Sequence, residues 1–265
     1  MSENYFDAHC HIQLEDYEHD QPEILARMRE EGIIGLVVGV DESSSRKAVA
    51  LAAQHEHLYA AVGLHPNRVT NEKEDLTVYE ELANDPKVVG IGECGLDYYR
   101  PTTLTDEVKE NQKAALRAQI RLAAALDKPL VIHSRPSKGT QDAYRDLIAL
   151  LKEEKVIRPN IRGDIHFFVG GIAEMEEFIA LGFTVSFTAV ITFARDYDDV
   201  IRATPLESIL SETDAPYVAP ASRRRERNDP MAVADVVATI AEIRKEDPEI
   251  VRKALLENAK RLFLA

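Results

Sequence analysis

The sequence of 265 residues predicts an α/β fold, a (β/α)8 barrel of the TIM type, on three observations. First, runs typical of strands alternate with amphipathic or alanine-rich runs typical of helices. Second, several strand runs are almost continuously apolar, as expected of parallel strands that are covered on both faces. Third, eight such units follow one another without a Gly/Ser-rich linker or a shift in composition. We therefore expect one TIM-barrel domain over residues 1–265.

The predicted strands are, in chain order, 5–9, 33–40, 58–64, 88–93, 129–133, 161–168, 183–188 and 208–213. The predicted helices are 21–31, 43–56, 74–84, 105–126, 140–154, 173–181, 194–203, 230–245 and 248–262. The helix at 105–126 has the clearest start, because Thr105 can cap it and Asp106 and Glu107 favour its dipole. The structural alternative is a doubly wound open sheet. Such a sheet usually has a glycine-rich turn after its first strand, and this chain has His-Cys-His there.

Composition limits the class of protein. The net charge of −14 argues against a protein that coats nucleic acid with a broad basic face, but it permits an enzyme with a locally basic cleft. The two cysteines, Cys10 and Cys94, do not suggest a disulfide framework, which favours a reducing compartment. No apolar stretch approaches the roughly 20 residues of a membrane span, and no signal-peptide pattern is present. We expect a cytoplasmic protein without membrane association, and nothing indicates an obligate protein partner.

A barrel requires its catalytic groups at the carboxyl ends of its strands. The reactive residues at or next to those predicted ends are His9, His11, His65, Glu93, His133, His166 and Asp214. They include five of the eight histidines in the chain. Taken singly, each has an ordinary explanation, such as a core histidine or a turn residue before proline. Together, on one rim of one barrel, they indicate a metal centre.

The number of possible ligands favours two ions. One catalytic ion uses about three protein ligands, whereas this rim offers four histidines and two carboxylates, leaving His65 aside. The lysines Lys87 and Lys128 fall at strand starts, which makes Glu93 the natural bridging ligand in place of a modified lysine. Histidine with carboxylate suits Zn²⁺, Mn²⁺ or Fe²⁺ and suits Mg²⁺ less well. Strand alternation puts His9 and His11 on one face and directs Cys10 to the helix layer.

Seven blocks in order resemble the TatD-like metal-dependent hydrolases, also called the TatD DNase family, a branch of the amidohydrolase-type barrels. The blocks are FDAHCH (6–11), AVGLHP (61–66), VGIGECGLDYYR (89–100), VIHSR (131–135), IHFFVGG (165–171), SETDAPYVAP (211–220) and NAKRLF (258–263). They cover nearly the whole chain, and the Gly-Glu-x-Gly-Leu-Asp-Tyr-Tyr and Glu-Thr-Asp-Ala-Pro-Tyr blocks are the most specific.

The resemblance implies a two-metal site and a reaction. One ion would be held by His9, His11, Glu93 and Asp214, and the other by Glu93, His133 and His166. Asp214 would orient the attacking water and accept its proton, and His65 would face the substrate. The typical reaction of the family is hydrolysis of phosphodiesters at a DNA end, with exonuclease polarity from the 3′ side.

The sequence also suggests substrate contacts. Arg135 follows His133 by two residues and so reaches the same rim. Arg223 and Arg225 lie in the arginine-rich segment 222–227, where arginine could pair with phosphate. Tyr98 could stack an unpaired base. The alternatives are a solvated charged loop for the arginines and ordinary packing for the tyrosine.

Three departures from the family pattern concern specificity: Gln13, where the family often has an acidic residue, Val169, where it usually has serine, and the segment 136–139, where an Asp-Ala pair is common. None is a predicted ligand, so they put the DNA substrate in doubt more than the hydrolysis. A second hypothesis is therefore a metal-dependent ester or amide hydrolase, for example one that removes D-amino acids from tRNA. A third is a binding protein without activity on a barrel scaffold.

Overall fold

A computed structural model describes residues 3–69 and 76–265. Within these residues, one sheet of parallel strands runs in chain order. The strands are β1 Tyr5–Cys10, β2 Ile33–Val38, β3 Leu58–Val62, β4 Val88–Asp97, β5 Leu130–Arg135, β6 Gly163–His166, β7 Phe183–Phe187 and β8 Ile209–Ser211. The helices are α1 Gln21–Glu31, α2 Glu42–Gln54, α3 Thr77–Ala83, α4 Asp106–Ala125, α5 Asp142–Ile157, α6 Ile172–Ala180, α7 Asp198–Ala203, α8 Val233–Arg244 and α9 Pro248–Phe263.

The sheet closes between its first and last strands. Cys10 forms an isolated parallel bridge with Ala215, and the His11 N–H donates to the Ala215 carbonyl at 2.7 Å. The buried Asp7 carboxylate accepts a bond from the Thr213 N–H at 2.8 Å. This closure confirms the (β/α)8 barrel and excludes the open sheet. The single-domain assignment over residues 1–265 stays a prediction.

Most predicted elements occur with shifted ends. Strand β4 continues to Asp97, beyond the predicted end at residue 93, because it remains paired with β5 as far as Arg135. The strands β6 and β8 are shorter than predicted. Helix α7 begins only at Asp198, after a 3₁₀ turn, and α8 begins at Val233, after another such turn. The first residues of the predicted helix 74–84 lie outside the described residues.

Two glycines allow β4 to run close to β5. Gly92 and Gly95 have φ values of 149° and 144°, a region that favours glycine. A Cβ atom would lie 2.3 Å from the Val131 carbonyl oxygen at Gly92, and 1.9 Å from the His133 carbonyl oxygen at Gly95. The Gly-x-Gly-Glu-Cys-Gly sequence therefore brings Glu93 against the neighbouring strand without steric conflict.

Helix α9 closes the amino end of the barrel. A cluster of apolar side chains from the strands packs against Leu256, Ala259 and Phe263 of this helix. The rings of Phe6 and Phe263 stack with centroids 6.1 Å apart. The Asn258 side chain bonds to the Ile209 carbonyl at the start of β8. Among the described residues, no helix has both the length and the apolar character needed to cross a membrane.

Candidate metal centre

The structure brings the seven reactive residues together at the carboxyl ends of the strands. His9, Glu93, His133 and His166 belong to β1, β4, β5 and β6, and His11, His65 and Asp214 lie just after β1, β3 and β8. Their possible ligand atoms form three overlapping groups in which all atoms lie within 4.8 Å of one another. These groups are His9–His11–Glu93, His9–His166–Asp214 and His65–Glu93–His133.

Glu93 lies between two sets of histidines. Its Oε2 atom is 3.5 Å from His9 Nε2 and 3.9 Å from His11 Nε2. Its Oε1 atom is 2.9 Å from His133 Nδ1, 3.4 Å from His65 Nε2 and 3.8 Å from His166 Nε2. Burial opposes the charged form, but the surrounding histidines hold the pKa of Glu93 well below its usual value. The two oxygens of one ionised carboxylate thus face different groups of imidazoles.

Asp214 completes the side of the site next to β1. Its Oδ1 atom is 3.5 Å from His11 Nε2 and 4.0 Å from His9 Nε2. The residue has φ 52°, a left-handed conformation that aspartate tolerates, and its N–H donates to the His9 carbonyl at 2.9 Å. Burial alone would raise the pKa of Asp214, but contact with His11 and the nearby His166 lowers it. Asp214 is therefore charged at neutral pH and faces the candidate ligands.

The outer nitrogens of two imidazoles have hydrogen-bond acceptors, as in many metal sites. His11 Nδ1 lies 2.8 Å from the Val38 carbonyl oxygen, and His166 Nδ1 lies 2.6 Å from Glu212 Oε2. In a third imidazole, His133, the Nε2 atom lies within ion-pair distance of Asp97 Oδ2, at 3.3 Å, but has no hydrogen-bond partner among the described residues. With the proton on the outer nitrogen, each ring directs a free lone pair toward the centre. This arrangement is what a divalent cation requires of its histidine ligands.

His9 also fits a metal ligand. Its Nε2 atom faces His11 Nε2 at 3.1 Å, and its Nδ1 atom has no hydrogen-bond partner among the described residues. Burial, with the nearby His166, lowers the pKa of His9 to about 4, so its ring is neutral at pH 7. Burial also lowers the pKa of His166, but Glu212 outweighs it and raises that pKa to about 10. A cation would displace the proton that His166 then carries.

His65 differs from the other histidines of the site. The Asn67 N–H donates to His65 Nδ1 at 3.1 Å, which places the proton of a neutral ring on Nε2. Burial lowers the pKa of His65, which favours that neutral ring. Its Nε2–H group faces the centre beside Glu93 Oε1. This geometry suits a hydrogen-bond donor to substrate better than a metal ligand.

The site opens into a cavity of about 860 Å³. Among the described residues, the carboxylates that line it are Glu93 and Asp214, both candidate ligands. Apart from the histidines, the other charged side chains in the described part of the lining are three arginines, Arg68, Arg100 and Arg135. A chain with a net charge of −14 thus has a basic wall around its buried acidic centre.

With this geometry in view, comparison with known proteins decides the family. Residues 6–264 match the family described as TatD related DNase. The chain belongs to this family. It is 35% identical over 262 residues to the uncharacterized metal-dependent hydrolase YabD of Bacillus subtilis, which covers 97% of this chain and 98% of that protein. The resemblance stated from the motifs is confirmed, and the protein is a metal-dependent hydrolase of the TatD family.

Two further relatives cover nearly the whole chain. A protein of Erwinia amylovora named 3′-5′ ssDNA/RNA exonuclease TatD is 30% identical over 269 residues, 97% of this chain and 99% of that protein. The crystal structure of the TatD homologue YjjV from Escherichia coli superposes with a TM-score of 0.88 at 30% identity, covering 99% of this chain and 98% of that one.

The predicted substrate contacts separate into two groups. His65 and Arg135 line the cavity, whereas Tyr98, Arg223 and Arg225 are absent from its lining among the described residues. The Tyr98 ring is buried and its hydroxyl donates to Asp146 at 2.8 Å, so it packs beside α5. Arg223 pairs with Asp229 at 2.9 Å, and Arg225 is exposed to solvent. For these three residues the geometry favours packing and a solvated loop.

The departures from the family pattern also lie in different places. Val169 lines the cavity. Gln13 is buried behind the site, where its amide donates to the Val38 carbonyl at 2.7 Å, the same oxygen that His11 contacts. No residue of segment 136–139 belongs to the described lining. Of these positions, Val169 is therefore the one placed to contact substrate, and Gln13 supports a candidate ligand.

Sequence reasoning missed several residues of the TatD site. Asp97 and Glu212 contact His133 and His166 from outside, and Arg68 and Arg100 line the cavity. Asp97 and Glu212 are buried charges next to apolar strands, and such charges require partners. That signal was available in the sequence. The positions of Arg68 and Arg100 depend on loops and had no comparable signal.

Proposed function

We propose that this TatD-family hydrolase is a two-metal phosphodiesterase that removes nucleotides from the 3′ ends of DNA. The observation that supports a pair of ions is the position of Glu93, whose two oxygens face separate groups of histidines. A pair of ions bound there would lower the pKa of a water molecule and neutralise charge on the phosphate.

The residues divide between the two ions as the family resemblance implies. His9, His11, Glu93 and Asp214 would hold one ion, and Glu93, His133 and His166 would hold the other. His166 lies within 4.8 Å of ligand atoms of His9 and Asp214 as well as near Glu93. Its position between the two groups is compatible with this division. The ions would be divalent, and the mixture of imidazole and carboxylate suits zinc, manganese or iron.

The roles of the other groups follow from their protonation. Asp214, charged and partly buried beside His9 and His11, is placed to orient the attacking water and accept its proton. His65 presents Nε2–H to the cavity and can donate to a phosphate oxygen. Both residues line the cavity, so they can reach a substrate that approaches the centre.

A phosphate substrate is supported by charge and by relatives. The cavity wall carries Arg68, Arg100 and Arg135, and arginine pairs with phosphate through two parallel hydrogen bonds. The Erwinia amylovora relative is named as an exonuclease of single-stranded DNA and RNA. The buried, unpaired thiols of Cys10 and Cys94 are compatible with the cytoplasm as the compartment.

The test is release of nucleotides from single-stranded DNA labelled at its 5′ end. We expect a ladder of products shortened from the 3′ end with Mn²⁺ or Mg²⁺, no products in excess chelator, and recovery when metal returns. The Glu93→Ala variant should produce none. Absence of products from the wild-type protein with every metal tried would refute the proposal.

A second candidate function is hydrolysis of a carboxylic ester or amide, including a D-aminoacyl ester of tRNA. The observation that favours it is Val169 in the cavity lining, where the family has serine. A panel of esters, amides and D-aminoacyl-tRNA measured beside DNA distinguishes the two candidates. Turnover of an ester or amide without DNA cleavage would support this second function.

A further inference from the structure

We propose that Arg100 and Arg135 form an anion subsite beside the metal centre that binds a second phosphate of the substrate chain. The inference rests on the proposed phosphodiesterase function and extends it. If the subsite binds the phosphate next to the scissile one, the preferred substrate is a polynucleotide and not an isolated phosphodiester.

Arg135 is held in a position suited to such a contact. It follows His133 by two residues on β5, so both side chains point to the same face, with their Cα atoms about 6.6 Å apart. The Arg135 guanidinium lies over the Tyr99 ring at 4.1 Å. An arginine that lies over an aromatic ring still has N–H donors that can bind an anion. Among the described residues, Arg135 has no carboxylate within salt-bridge distance.

Arg100 is positioned through its backbone. The Oδ1 atom of Asp97 accepts hydrogen bonds from the N–H groups of Tyr99 and Arg100, each at 2.9 Å. Arg100 likewise lacks a carboxylate partner within the described part of the chain. Arg100 lines the same cavity as Arg135. Within the described residues, these two arginines have no carboxylate partner and lie in the wall of the cavity. Their positive charge is therefore available to an anion that enters it.

Asp97 connects this subsite to the metal centre. The Oδ2 atom of Asp97 lies 3.3 Å from His133 Nε2 and accepts a hydrogen bond from the Asn67 amide at 3.0 Å. Asp97 is also buried, and Gln112 bonds to both its backbone N–H and its carbonyl. A single fixed carboxylate thus holds the Tyr99–Arg100 turn against a candidate ligand. The backbone from which Arg100 extends is therefore fixed relative to His133.

The subsite predicts that the two kinds of substrate respond differently to substitution. A bond between a charged donor and a phosphate is worth enough for about a 10- to 100-fold change in affinity. Arg100→Gln and Arg135→Gln should each lower kcat/KM for a single-stranded oligonucleotide by about that factor, mainly through KM. Bis(4-nitrophenyl) phosphate has one phosphate, so its hydrolysis should change less than about 3-fold.

The experiment measures kcat and KM for both substrates with the metal-loaded protein. Arg29→Gln, which removes an exposed arginine from the carboxyl end of α1, is the matched control for loss of one charge. Thermal unfolding of each variant verifies folding. The dependence of oligonucleotide KM on salt supplies a second measure, since each lost phosphate contact to a single strand should reduce the slope of log affinity against log salt by about 0.7.

Each outcome is decisive. Selective loss on the oligonucleotide, with a reduced salt slope, supports the subsite. Equal losses on both substrates, or no loss on the oligonucleotide, overturn it while the phosphodiesterase function stands. A wild-type protein that cleaves bis(4-nitrophenyl) phosphate but not DNA overturns the subsite and the DNA substrate together. A wild-type protein that hydrolyses neither phosphodiester overturns the proposed function itself.

Discussion

The two ends of this barrel differ in the polarity of their interior side chains. At the amino end, Phe6, Leu36 and Leu210 pack against Phe263 and neighbouring side chains of α9. At the carboxyl end, the interior holds imidazoles and carboxylates in direct contact. The same parallel strands supply both ends, so the difference arises from which residue types each strand carries along its length.

The comparison indicates that the amino end of the barrel contributes stability and the carboxyl end contributes function. Burial of the apolar side chains at the closed end stabilises the folded state, and these side chains need no hydrogen-bond or charge partners. Buried charges at the open end require one another, because an unpaired buried charge is strongly unfavourable. The carboxyl end is thus a poor source of stability and a good binding site for cations, in agreement with the usual position of active sites in TIM barrels.

The largest effect is expected from Glu93→Gln at the open end. The amide cannot serve as a charged bridge between the two groups of histidines, so phosphodiester hydrolysis should fall by about 10³-fold or more. Metal content, measured by mass spectrometry, should fall as well. The melting temperature in chelator should also decrease, because the charged Glu93 carboxylate is a partner of the surrounding histidines in the metal-free fold. Activity within tenfold of wild type would contradict a central role for Glu93.

At the closed end, Phe263→Ala should have a different profile. Loss of the ring that stacks on Phe6 should lower the free energy of unfolding by about 3–5 kcal/mol. The kcat of the folded protein should stay unchanged. Urea unfolding followed by circular dichroism measures the first quantity. Ile250→Ala, at an exposed position of the same helix, is the control and should change stability by less than about 0.5 kcal/mol. Equal losses in the two variants would show that α9 does not close the barrel as described.

Glu212→Gln should weaken metal binding without removing a ligand. The amide could still accept from the Phe167 N–H, but its NH₂ group would face His166 Nδ1–H, a second donor. Outer partners of metal-ligating histidines contribute about 10- to 100-fold to affinity. Titration calorimetry with Zn²⁺ or Mn²⁺ measures the loss. The exposed Glu257→Gln in α9 is the charge-matched control. An unchanged dissociation constant would remove Glu212 from the metal site.

The smallest effect is expected from treatment of the cysteines with a thiol reagent. Both cysteines lie beside candidate ligands in sequence but on the other face of their strands. Cys10 packs near Gly35 and its thiol lies 3.4 Å from the Leu36 carbonyl. Burial raises the pKa of both thiols well above their usual value, so neither forms thiolate at pH 8. A thiol reagent should therefore leave the folded protein unmodified and label two cysteines after denaturation. Rapid labelling of the native protein would show that the region between the strands and the helix layer is accessible to the reagent.

Much of the site was predictable because its residues belong to strands. Five of the residues could be assigned to the carboxyl-end rim from the sequence. The evidence was the spacing of His9 and His11 and the positions of Glu93, His133 and His166 along apolar runs. In a parallel barrel, one end of every strand lies on one rim, so a linear pattern becomes a spatial one. The positions of Arg223 and Arg225 could not be predicted in this way, because both residues lie in a loop. Their loop folds back through pairs such as Arg223 with Asp229, and only loop contacts decide its direction.

The sequence by itself determined the barrel, the rim on which the ligands meet and the family to which the chain belongs. Only the tertiary structure decided which group contacts which. It placed Asp97 between His133 and the Tyr99–Arg100 turn, assigned Glu212 to His166, and selected arginines from separate loops for the cavity wall. The physical reason is that strand periodicity acts over a few residues, whereas these contacts join side chains whose directions depend on loops distant in sequence.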